Sequence, residues 1–73
     1  MNLTAAEIRL MLELIEDKIQ SLEGLIALQD DIVYYLTERG ESAEEAYSRI
    51  REHENAITSY EAIANKLERG MKQ

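Results

Sequence analysis

His53 is the one side chain in this sequence that could act as a base or a nitrogen ligand near neutral pH, so every candidate chemistry depends on its neighbours. In helical di-metal centres the partner carboxylate stands three residues before the histidine; here that position is Ile50. Arg49, Ala56 and Ile57 fill the other positions one turn away, leaving neither a second ligand nor a Ser or Thr nucleophile. The paired acids Asp30–Asp31 and Glu44–Glu45 are adjacent in sequence, and on a helix such side chains splay roughly 100° apart instead of converging. Three glycines form no phosphate-cradling loop, and the lack of cysteine removes thiol catalysis and thiolate metal sites. These patterns predict a non-enzymatic protein with no catalytic residues, no metal and no cofactor.

The elements that would position such groups are helices. Ala5, Leu12, Ile19, Ile26 and Val33 occupy one core position of successive heptads, and Ile8, Ile15, Leu22, Gln29 and Leu36 occupy the other. The spacing of three and four residues never slips, which predicts one helix over about 5–39, ~50 Å long at 1.5 Å per residue. Thr4 and Glu7 form a capping-box signature at its start. Gly24 weakens the middle by about 1 kcal/mol relative to Ala, but the heptad phase is the same on both sides, so the helix is read as continuous. Met11, Leu25 and Ile32, then Leu14, Leu28 and Tyr35, widen the apolar face to roughly half the circumference, beyond the ~100° stripe that one partner helix covers. The opposite side carries Glu13, Glu16, Asp17, Glu23, Asp30, Asp31 and Glu38.

Arg39 to Ser42 read as a turn. Gly40 suits the left-handed conformation that ends a helix, and Ser42 with Glu45 repeats the capping-box signature. A connection of residues 40–42 returns the second helix, about 43–69, antiparallel beside the first, with a frayed tail at 70–73. Its core stripe is Ala43, Ala46, Ile50, His53, Ile57, Tyr60, Ala64 and Leu67, reaching towards Met71, with Ala56 and Ile63 on one flank. Folding about residue 41 places Tyr35 by Tyr47 as half-buried neighbours, Ile32 by Ile50, and Gln29 by His53. A Gln29–His53 layer would fix register, because a slip leaves both groups unpaired among apolar neighbours. Tyr34 points to the solvated side.

A single domain spanning 1–73 buries too little surface to be comfortably stable alone, and there is no disulfide or metal to staple it. The expectation is therefore an all-α antiparallel helical hairpin that self-associates into a four-helix-bundle homodimer through Met11, Leu14, Leu25, Leu28, Ile32 and Tyr35. This plan resembles the plasmid-encoded Rop family, short helical hairpins that dimerise. The resemblance covers the plan alone: the basic residues are scattered over both helices, so RNA binding is not implied.

Fifteen acidic against eight basic residues, a net charge of −7, oppose direct nucleic-acid binding and suit a basic partner. The seven acids of the first helix form a strip that could occupy the basic groove of a nucleic-acid-binding protein, as phage-encoded inhibitors do. That alternative implies a viral protein. No secretory signal or apolar run of ~20 residues is legible, so a cytoplasmic protein without membrane contact is expected.

Overall fold

A computed structural model describes residues 2–71 and shows two helices, α1 from Ala5 to Glu38 and α2 from Glu44 to Met71, joined by a short turn. The rod they form measures 54 × 14 × 14 Å.

α1 starts where Thr4 and Glu7 satisfy each other. The Glu7 backbone N–H donates to Thr4 Oγ1 at 3.1 Å, and the Thr4 backbone N–H donates to Glu7 Oε1 at 2.9 Å. Two amides that the first turn would leave without a carbonyl are thereby paired. The helix runs unbroken through Gly24, where an added Cβ would meet nothing within 4 Å. No other backbone approaches that glycine, so it is a weak helix former on an open surface.

The helix ends one residue earlier than the sequence suggests, with Arg39 as its C-cap. Gly40 takes φ +72°, its N–H donates to the Thr37 carbonyl at 3.0 Å, and the Glu41 N–H donates to the Leu36 carbonyl at 2.9 Å. This pair of bonds is the Schellman arrangement, which closes the last carbonyls and turns the chain back.

The start of α2 differs from expectation. Ser42 Oγ accepts from the Glu44 N–H at 3.4 Å, a long bond, while the Glu45 carboxylate pairs with Arg49 at 2.7 Å. Glu45 is drawn along its own helix face, one turn on, and the second capping box does not form. At the other end α2 continues through Gly70 to Met71, past the stop expected at 69. Glycine ends a helix when it takes a positive φ, and among the described residues Gly40 is the one glycine that does. Of the tail expected at 70–73, Lys72 and Gln73 lie outside the described residues.

The helices pack antiparallel. Along one side Leu12, Ile15 and Ile19 of α1 share a groove with Ala64 and Glu68 of α2, so the start of α1 lies beside the end of α2. The seam is thin: Ile8, Leu22, Ala43, Ala46 and Gln29 are buried, and no side chain of the described residues falls below 2 % exposure. Leu12, Ile15, Ile19, Ile26, Val33 and Leu36 are half-buried, as are Ile50, His53, Ile57, Tyr60, Ala64 and Leu67 across from them. Ala5 and Met71, at the ends of the two core stripes, are exposed.

Candidate interaction surface

The apolar rows beside the seam reach water. Leu14 is 61 % exposed and Leu28 54 %, and Met11, Leu25 and Tyr35 are exposed with them; Ile32, closer to α2, is half-buried. These six share one face of α1, because residues three and four apart do, and Lys18 and Ser21 stand on the same rows between Leu14 and Leu25. Leu10 and Ile63 are also exposed. Ile63 extends the strip onto α2. Leu10 lies one row further round α1, outside the heptad rows, so core periodicity alone does not single it out.

The groove side of the hairpin has the opposite character. Glu16 and Glu23 of α1 and Glu68 of α2 line it. Asp30 lies on the α1 row of Glu16 and Glu23, Glu54 and Glu61 lie on the α2 row of Glu68, and all three are exposed. The hairpin thus has an acidic side and an apolar side, separated by the seam. Glu13, Glu16, Asp17, Glu23, Asp30, Asp31 and Glu38 are all exposed, and none forms an ion pair among the described residues.

Tyr35 and Tyr47 are not the half-buried neighbours that folding about residue 41 predicts. They are 57 % and 53 % exposed. The buried position at this end of α2 goes to Ala46, one residue earlier, and so small a side chain leaves the tyrosine rings outside the seam. Tyr35 instead engages its own helix: Arg39 donates to its hydroxyl at 2.6 Å and sets its guanidinium 5.3 Å from the ring centroid. Arg39 also pairs with Glu41 at 3.3 Å, which ties the last turn of α1 to the connection. Tyr34 is exposed on the solvated side, as its position suggests.

Gln29 is buried at 8 % exposure and His53 is half-buried, yet no hydrogen bond joins them. The side-chain hydrogen bonds of the described residues all span two to four residues, so none crosses between helices. No buried side-chain nitrogen or oxygen is left unpaired among those residues, so the Gln29 amide keeps contact with solvent at the edge of the seam. Among the described residues no side-chain hydrogen bond or ion pair crosses between α1 and α2, and apolar contact joins them.

Among the described residues no group of three or more His, Asp or Glu side chains is placed to hold a metal, and no helix is long and apolar enough to cross a membrane. Comparison with protein-family models, with curated proteins and with solved structures finds no match to this chain.

Proposed function

We propose that this protein is a non-enzymatic interaction module that works as a homodimer, two hairpins packing their apolar sides into a four-helix bundle. The observation that carries this reading is the imbalance between the seam and the surface. Among the described residues Ile8 and Leu22 are the only large apolar side chains buried, whereas Met11, Leu14, Leu25, Leu28 and Tyr35 stand in water along one strip. An exposed apolar strip on a thin helical pair, even one broken midway by Lys18 and Ser21, is characteristic of an association face. A second copy offers the same strip and leaves both acidic sides outward. The test is solution mass by light scattering over a range of concentrations, with helicity followed in parallel. A highly helical species of about twice the 8.4 kDa chain is expected; a monomer at all concentrations overturns the proposal.

A second reading has its own support in the unpaired acids of α1. Seven exposed carboxylates on one side of a ~50 Å helix could engage the basic groove of a nucleic-acid-binding protein, the mode of a small acidic inhibitor of viral type. The two readings are compatible, since a dimer would present two such strips. Reversing Glu23, Asp30 and Asp31 to Lys separates them, because the substitutions remove the acidic strip and leave the apolar one intact.

A further inference from the structure

The rows of α1 also carry information on how two copies meet, an inference that rests on the self-association proposed above. We infer that the two α1 helices pack directly against each other, antiparallel, about a twofold axis perpendicular to them near Lys18 and Ser21, with α2 beside α2 on the far side.

Periodicity favours this arrangement. The exposed rows repeat the three-four spacing of a coiled-coil seam: Met11, Leu14, Lys18, Ser21, Leu25 and Leu28, with Ile32 and Tyr35 continuing it. This second seam is turned roughly 100° around the helix from the one that meets α2, given the angular step between helical residues. In a four-helix bundle each helix has two neighbours at about a right angle, so the second seam faces the second neighbour.

Symmetry leaves two candidates for that neighbour. With a twofold axis along the bundle, α1 lies next to α2 of the second copy. With the axis perpendicular to the helices, α1 lies next to α1, and the pair must be antiparallel. The corresponding rows of α2 carry Glu45, Arg49, Glu52 and Lys66, with Ala56 and Ile63 as their apolar members. Docked there, the leucines of α1 would strip water from charged groups without pairing them. The seam of α1 itself carries no acid from Met11 to Tyr35.

The seam also matches itself. Its polar break, Lys18 and Ser21, falls within a turn of the middle of α1. Antiparallel docking about that break sets Leu14 opposite Leu25 of the second copy, Met11 opposite Leu28, and Lys18 opposite Ser21. Over these six positions apolar groups meet apolar groups and the break meets the break, while Ile32 and Tyr35 run past the match to the levels of Glu7 and Thr4 of the second copy.

The chain has no cysteine of its own, so a nitroxide label on Glu38→Cys reports one position per copy. Glu38 is exposed at the end of α1, away from both seams. Dipolar spectroscopy on the dimer of this chain is expected to give a label separation of ~55 Å, the axial offset of residue 38 from its copy at the helical rise. A separation of ~20 Å, with the mass still that of a dimer, overturns this arrangement while self-association stands. A monomeric mass with no dipolar coupling overturns both. As a second readout at polar surface positions, Lys18→Cys mixed with Ser21→Cys is expected to form an intermolecular disulfide under mild oxidation. Failure of that pair to cross-link, in a mixture shown to be dimeric, also overturns the arrangement.

Discussion

The Glu41 backbone N–H donates to the Leu36 carbonyl at 2.9 Å across Gly40, whose φ of +72° makes the bond possible. The reversal that brings α2 alongside α1 therefore depends on a conformation that costs an L-residue about 1–2 kcal/mol. Gly40→Ala should destabilise the hairpin by that amount, and Gly24→Ala should stabilise it by about 1 kcal/mol, because Gly24 is helical and faces open space. Chemical denaturation of the two variants checks both signs. A loss at Gly24 would mean that something packs against that face of α1.

At the opposite end of α1, the capping box makes folding sensitive to pH. The Thr4 backbone N–H, and then the Thr4 side chain, hold the Glu7 carboxyl below its ordinary value of 4.5. A carboxyl depressed on folding contributes stability that is complete above its unfolded pKa and disappears as pH falls through the lower folded value. The melting temperature of the natural chain should therefore exceed that of Glu7→Gln near neutral pH, and the difference should shrink below about pH 4.5. Thr4→Ala, which leaves the Glu7 amide without its acceptor, should cost about 1 kcal/mol. A constant difference between the chain and Glu7→Gln across that range would show that the carboxylate charge is not what the cap uses.

Gln29 gives a prediction that a sequence argument alone would have reversed. Its place in the core stripe, at the expected level of His53, suggests a polar pair that stabilises the register. In the structure it is buried in the seam, no hydrogen bond reaches His53, and its amide turns to solvent. Gln29→Leu should thus raise stability, by up to about 1 kcal/mol, since apolar contact replaces an amide that gains nothing from the protein. A marked loss of stability would instead show that Gln29 pairs with a group supplied by a second copy.

The helices, the N-cap of α1 and the Gly40 turn were legible because each rests on local chemistry: an unbroken three-four spacing, a Thr and Glu three apart, and a glycine between two apolar runs. The apolar strip was legible for the same reason, since the face a helical residue occupies follows from its number. The start of α2 was not, because Glu45 had two partners within reach and Arg49 one turn away prevailed over the Ser42 amide. The exposure of Tyr35 and Tyr47 was not legible either. It depends on how closely the helix backbones approach at Ala43 and Ala46, both buried, and pairing rules by residue number carry no such distance.

The proposed bundle makes a prediction in which the apolar and acidic sides of α1 behave oppositely. Leu28 stands 54 % exposed in the hairpin, so replacing it should do little to the fold of one copy, yet in a twofold dimer the side chain is buried twice. At about 2 kcal/mol for each leucine removed from water, Leu28→Glu should weaken dimerisation by roughly a thousandfold before charge repulsion is counted. Asp31→Lys, on the acidic side of the same helix, should leave the dimer mass unchanged, because that side faces water in the bundle. Light scattering on the two variants, with helicity measured at the same concentrations, checks the contrast. A dimer that survives Leu28→Glu and dissociates on Asp31→Lys would place the interface on the acidic side, and the apolar strip would then have no role in joining the copies.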